Sequence, residues 1–503
     1  MSTSIDSSTI PYHPAPLEDS NEKDTGFQRS LSNASRELMR SVTQYTEYDV
    51  AIGHAMEEAK EEQEMKDHPS SNDEESSDAN TPPQPAFKFF SKSNIPFFRK
   101  YMMIVLIMII FVFSVFSIYW GSMFHRNSRL TNLTVLLVTE SDESLPLSQA
   151  LINVSKEKLI ASKLGYVIKS NISEDEVIDK VYKQKYWGAI YVNNNTVSNL
   201  ITDAFKNGDD SDLNTTDFVK CYYETGRDLN GMRSYVEPPL LEFSIAFQNY
   251  LHSTTYPSII SNLTSDEFSK LRNSNLLTSY PSIQFTDGKP ASDPVVLAPL
   301  QIGLIYIIIL TFFQFMWFLQ IHGEMAKKLS PIRYILYRMI ASQFNYLCLS
   351  LGYSALNAAF QISFNKTWSG GFGVMWMISY LTMSAVGGAN ENIGLLCFAT
   401  LPPVMGFWMI FFVITNISAT FSPIPVCPGL FRFTEAMPIK NSYELMKILL
   451  FDTYKGNQGR HWGILIAWIA LNNLLLPLCL MFFSFRMKKT MAKAASASAA
   501  NKK

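Results

Sequence analysis

One apolar segment, Tyr101 to Trp120, stands alone near the start of the chain. A polar stretch carrying Asn-X-Ser/Thr tripeptides follows, and then a closely spaced series of apolar segments from Val295 to Phe485. This one-plus-five layout constrains the fold more than any short motif, because one chain must satisfy two solvents. Tyr101 to Trp120 (YMMIVLIMIIFVFSVFSIYW) carries no charge, and its 20 residues at 1.5 Å rise cover a ~30 Å hydrocarbon core. It lies too far from the N-terminus to read as a cleaved signal peptide.

The later segments are Val295–Leu319, Tyr334–Phe360, Gly373–Gly388, Ile393–Thr415 and Trp462–Phe485. Six spans put both termini on one side. Arg99 and Lys100 precede the first span, Lys327, Lys328 and Arg333 separate the second from the third, and Arg486, Lys488 and Lys489 follow the last. The positive-inside bias makes all three segments cytoplasmic. The sequons at Asn132, Asn153, Asn171, Asn194, Asn214 and Asn262 fall in the large loop, and Asn365 in the loop after the third span, which places both loops outside. A sequon is a common tripeptide, and Asn33 in the tail and Asn416 at the lip of a span match it too.

The predicted organisation is therefore an acidic, disordered cytoplasmic tail (1–98), a first transmembrane helix (99–120), an extracytoplasmic glycosylated α/β domain (121–293), a five-helix membrane domain (294–486) and a short cytoplasmic tail (487–503). The first tail is rich in Ser, Glu, Asp and Pro, too polar to offset its ordering entropy. Within it Ser35 to Met65 reads as a transient helix, and Ser30, Ser32 and Ser35 between Arg29 and Arg36 read as a nonspecific kinase target. In the outside domain Leu133–Val138, Tyr166–Ile168, Trp187–Val192 and Val219–Tyr223 read as strands. Leu147–Leu164, Ser173–Tyr182, Thr196–Phe205, Pro238–Leu251 and Thr264–Leu276 read as helices, and Thr278–Asp293 as irregular. Such alternation predicts a small layer with a partly parallel sheet. Of the five cysteines, Cys348, Cys397 and Cys479 fall within spans, and a bridge between Cys221 and Cys427 is left open.

Asn416 to Phe451 is broken by Pro423, Pro425, Pro428 and Pro438 yet stays apolar, so a re-entrant or interfacial hairpin over 416–451 is expected, ending in a short amphipathic helix, Pro438–Leu450, at the outer membrane surface. The order of elements, together with Ser418, Phe421, Pro423, Pro428, Phe431, Arg432, Pro438, Asn441 and Tyr443 in this segment, resembles the membrane subunits of ABC-2 type exporters. It is more similar to single-chain relatives of the bacterial YhgE/Pip type, and most similar to the fungal nitrosoguanidine-resistance membrane protein family. LTVLLVTESDES and YWGAIYV followed by NNNTVSNLI resemble that family's strands and helix, and the likeness runs from about Phe97 to Lys489. The resemblance implies an ABC-2 type exporter-like membrane domain, export of hydrophobic or toxic small molecules, and work as pairs, hence a homodimer. It also implies a plasma membrane location, with the endoplasmic reticulum or another secretory membrane as the alternative.

No G-x-x-x-x-G-K-[ST] phosphate loop is present, so an exporter of this layout would need a separate ATPase partner or another energy source, and the alternative partner is a regulatory one. H-E-x-x-H, G-x-S-x-G and C-x-x-C are missing and the seven histidines are scattered, so no catalytic residue, cofactor or metal is expected, nor nucleic acid, and membrane lipids are the expected surroundings. Polar residues within spans are the remaining candidates for a pathway or for helix packing: Gln301, Arg338, Asn345, Asn390 and Glu391. Arg338, four residues after Tyr334, is expected to snorkel to the cytoplasmic headgroups. Asn390, Glu391 and Asn392 are expected in the link between the fourth and fifth spans, Glu391 pairing with a base or capping a helix. The second functional reading is a scaffold or regulator of lipid organisation or of another transporter.

Overall fold

The computed structural model describes residues 95–209, 218–274, 276 and 281–500, all within the compact unit Lys92–Lys503. The expectations for the tail up to residue 94, including Asn33, Ser30, Ser32 and Ser35, and for the sequon at Asn214, lie outside the described residues.

The first helix, α1 (Ile95–Met123), leads by a turn into a five-stranded sheet built from β1 (Thr134–Thr139), β2 (Gly165–Ser170), β3 (Gly188–Val192), β4 (Val219–Tyr223) and β5 (Ile283–Asp287). The strand order is β2-β1-β3-β4-β5, with β1 parallel to β2 and β3, β4 antiparallel to β3, and β5 parallel to β4. The central strands are buried on both faces, as their unbroken apolar runs require. On one face Val135, Leu137, Ile190 and Cys221 pack on α2 (Pro146–Lys156), α4 (Val197–Asn207) and α5 (Glu237–Tyr250) through Leu151, Phe205 and Phe243. On the other, Leu136, Val138 and Tyr191 cover Val177 and Val181 of α3 (Glu174–Tyr182), whose N-terminus Ser173 caps. β5 lies where an irregular segment was expected: as an edge strand only one of its five residues, Ile283, is buried, so it leaves little apolar signature.

The helical domain comprises α7 (Pro294–Lys328), α8 (Pro331–Ala359), α9 (Gly371–Thr400), α10 (Val404–Ile417), α11 (Pro438–Phe451) and α12 (Gln458–Ala500); α6 (Ser265–Arg272) belongs to the sheet domain. Among the described residues four helices, α1, α7, α9 and α12, are long and apolar enough to cross a membrane, and the chain is a polytopic membrane protein with a small mixed sheet domain. Two of the six expected spans differ from expectation. α10 has 14 residues, about 21 Å at the helical rise and short of a ~30 Å core. α8 has 29 residues but carries a polar stripe that lowers its hydropathy.

Three expectations are corrected. The link expected at Asn390–Asn392 is the interior of α9, which runs unbroken through it, because all three side chains find partners on neighbouring helices. The chain breaks instead at Leu401-Pro402-Pro403, where proline ends the helix. α11, expected as a surface helix, is buried at every position except Glu444. Its charged face is internal: Lys440 and Lys447 each pair with Glu444, at 3.0 and 2.8 Å. Arg338, expected to snorkel outward, is 1% exposed.

Candidate functional site

α8 is inverted relative to a soluble helix. Its buried residues are Arg338, Ser342, Tyr346, Ser350, Ser354 and Asn357, a polar stripe at helical spacing, while Ile332, Leu336, Ile340 and Phe344 are exposed. An apolar solvent around the bundle accounts for that arrangement, since polar groups there must find partners inside. The stripe faces α9, where Gly387 admits the Tyr346 ring, which a Cβ would meet at 2.5 Å, and Gly388 admits Asn472 of α12. Both glycines thus allow close approach between helices.

At the end of this seam Arg338 Nε donates to Glu391 Oε1 at 3.0 Å and a terminal nitrogen of the same guanidinium donates to that oxygen too. Ser342 donates to Oε2 at 2.8 Å. Both charges are sequestered, so the pair neutralises what neither could carry alone. The preceding residue, Asn390, donates to the Ile308 carbonyl of α7 at 3.1 Å and accepts from Trp408 of α10 at 3.1 Å. Gln343 accepts from Tyr380 and Ser384, and Asn392 donates to the Asn472 carbonyl at 3.0 Å. Ser342, Gln343, Tyr346, Glu391, Asn392 and Asn472 line a cavity of about 10 Å³, the size of one water. The Tyr346 hydroxyl and Asn392 Oδ1 have no partner among the described residues, so the cavity offers a water two polar groups.

Arg338, Asn390 and Glu391 therefore come together, and the other candidates do not join them. Asn345 is half-buried on the same helix. Gln301 donates to Asn230 at 3.1 Å, at the boundary with the sheet domain. Of the hairpin residues, Ser418, Pro423, Pro438 and Tyr443 are buried, Pro428 is half-buried and Arg432 is exposed. Cys221 and Cys427 are free thiols. Asn132, Asn171, Asn194 and Asn262 are exposed, as is Asn365, whereas Asn153 is half-buried and donates to the Tyr250 hydroxyl at 2.8 Å. Asn416 is fully buried.

A second cluster escaped the sequence reading. Glu224-Thr225-Gly226-Arg227-Asp228, the turn after β4, is buried throughout and docks on the C-terminal end of α11. Gly226 sits so close to Phe451 that a Cβ would lie 2.6 Å from it, Lys447 donates to the Arg227 carbonyl at 2.6 Å, and Lys289 pairs with Asp452 at 2.7 Å. The Arg227 guanidinium stacks 4.0 Å over Trp187 and donates to the Tyr186 and Gln184 carbonyls; burial pulls its pKa down to about 10. Burial pushes the Glu224 carboxyl up to about 7, against the opposing pull of Lys289. Polar residues flanking a glycine read locally as a solvated turn, and the only hint of burial was a strand leading straight into them.

A family model described as "Protein of unknown function (DUF3533)" matches residues 104–474, about two thirds of α1, the whole sheet domain and the helical domain as far as the first half of α12. An "Uncharacterized endoplasmic reticulum membrane protein" of Saccharomyces cerevisiae is 34% identical over 328 residues, 64% of this chain and 64% of its own length. The chain thus spans under two thirds of that relative. No solved structure matches.

Proposed function

The chain belongs to the protein family of unknown function DUF3533, and we propose that it is a non-enzymatic export permease of a secretory-pathway membrane, moving hydrophobic or amphipathic small molecules. The observation that carries this reading is the buried Arg338–Glu391 pair set in a polar seam among helices whose outer faces are apolar. Ionised groups in such a place are costly and are retained along pathways and relays. On this reading α8 and α10 complete six spans, the sheet domain is lumenal and bears the glycans, and the closer likeness to nitrosoguanidine-resistance proteins and ABC-2 type domains extends to drug tolerance. The endoplasmic reticulum is favoured over the plasma membrane, because that is where the yeast relative's name places it. A separate ATPase and a second copy of the chain are the partners this reading calls for.

The test is reconstitution of the full chain in sealed vesicles with a fluorescent amphiphile, with and without cytosolic ATPases. Export is expected. Vesicles that move nothing under either condition would overturn the reading. A scaffold or regulator is the second reading, favoured by one observation: the cavity in the seam has room for one water and nothing larger. Affinity purification from native membranes separates the two, an ATPase subunit supporting export and a transporter or signalling partner supporting the scaffold.

A further inference from the structure

Where α1 ends, the chain turns sharply through His125, in the left-handed region at φ 54°, and a cleft of about 360 Å³ opens between that turn and the sheet domain. Its lining is Met123, His125, Arg126, Asn127, Ser128 and Tyr235, and its volume is within the range of small-ligand sites. Arg126 is the one buried charge in this lining, at 8% exposure. Its Nε donates to the Ser122 carbonyl at 3.2 Å, one terminal nitrogen to the Tyr235 hydroxyl at 3.1 Å, and the other to the Ser422 hydroxyl at 2.9 Å.

All three acceptors are neutral. Among the described residues no carboxylate pairs with this guanidinium, although every other buried arginine or lysine side chain of the structure has one in ion-pair or close electrostatic reach. A guanidinium has five N–H donors; three go to these oxygens and the Cys427 thiol, also neutral, engages another, which leaves one for a further acceptor such as a phosphate oxygen. Burying a cation without a counter-ion is unfavourable, and an anion in the cleft would supply one.

The surroundings say which anion. Trp120, Met123 and Phe124 are exposed beside the cleft in sequence, at the end of a helix that is apolar enough to cross a membrane and is almost entirely unburied. Exposed aromatic rings at the end of a span are the pattern of the headgroup layer. We propose that this cleft binds the phosphate of an anionic phospholipid headgroup, Arg126 holding a phosphate oxygen while Asn127 and Ser128 line the rim and the acyl chains lie along α1. The site is separate from the seam at Glu391 and stands whether or not that seam conducts anything.

The experiment is thermal unfolding of the full chain in a neutral detergent, titrated with dioctanoyl phosphatidylglycerol, dioctanoyl phosphatidylcholine or inorganic phosphate. Phosphatidylglycerol should stabilise saturably and at lower concentration than phosphatidylcholine, since the cleft holds a cation without a carboxylate. Arg126→Gln should weaken that binding at least about tenfold, the loss of charge-assisted hydrogen bonds. Asn127→Asp, an exposed isosteric change that leaves the Arg126 contacts in place, should weaken it as well and keeps the test alive if Arg126→Gln fails to fold. Equal binding of the two lipids, an unchanged phosphatidylglycerol affinity in Asn127→Asp, or stabilisation by inorganic phosphate matching that by the lipid would each overturn the assignment, the last by making this a site for free phosphate.

Discussion

Replacing Glu391 alone by leucine leaves Arg338 as a buried cation with the neutral Tyr334 hydroxyl beside it and no carboxylate. The pair is sequestered from solvent, and the carboxylate accepts from two guanidinium nitrogens and a hydroxyl. Removing one member of such a pair costs about 3–5 kcal/mol, because the other charge stays buried without compensation. For a helical domain of this size, 1 kcal/mol corresponds to roughly 2–4 °C in Tm, so the single change should lower the midpoint by roughly 6–20 °C. The double variant Arg338→Met with Glu391→Leu removes both charges and fills their volume. It should recover most of that loss, since apolar replacement of a whole buried pair is about neutral or stabilising. The assay is thermal unfolding of detergent-solubilised full chain, followed by the accessibility of Cys348, Cys397 and Cys479, thiols of the helical domain. The cycle of four proteins yields the coupling directly. A single variant within about 1 kcal/mol of wild type, or a double variant no better than the sum of the singles, would refute the argument that these two charges depend on each other.

Glu224 gives a pH signature. Because its folded pKa is raised from 4.5 to about 7, its contribution to stability is full below about 4.5 and is lost as pH rises through about 7. The shift amounts to about 3 kcal/mol, so wild type should lose roughly 6–12 °C of Tm relative to Glu224→Gln between pH 5 and pH 8; parallel curves for the two proteins would contradict it. Gly226→Val should cost about 1–3 kcal/mol through its clash with Phe451, and limited proteolysis should then cut between the sheet domain and α11 more readily than in wild type. Single Asn→Gln variants, read by the mobility shift on endoglycosidase treatment, should show glycans at Asn171, Asn194 and Asn262 and none at Asn153, whose amide nitrogen is committed to Tyr250 on a packed helix; a shift lost in Asn153→Gln would place that helix differently.

Local patterns sufficed for the sheet domain: the runs at 134–139, 188–192 and 219–223 are largely apolar because they are buried, and the helices between them carry apolar faces. What stayed illegible is where burial is decided by a partner far away in sequence. Asn390-Glu391-Asn392 looks like a loop until Ile308, Arg338 and Asn472 are beside it, and the charged face of α11 looks solvated until the turn at Arg227 covers it. One signal was available and went unread. The positions 338, 342, 346, 350 and 354 of α8 repeat a polar residue every fourth place, which in an otherwise apolar helix marks the inward face.

That stripe also bears on how the chain is made. Arg338 precedes Glu391 by 53 residues, so at about 5–20 residues per second of synthesis the guanidinium waits about 3–10 s for its counter-charge. During that interval α8 is the poorest candidate for the bilayer interior among the long helices, and α9 brings the carboxylate, the glycines and the polar partners that make it acceptable. If α8 is one of six spans, as proposed above, its insertion should be a joint event with that of α9, and a nascent chain truncated before residue 391 should leave α8 outside the bilayer.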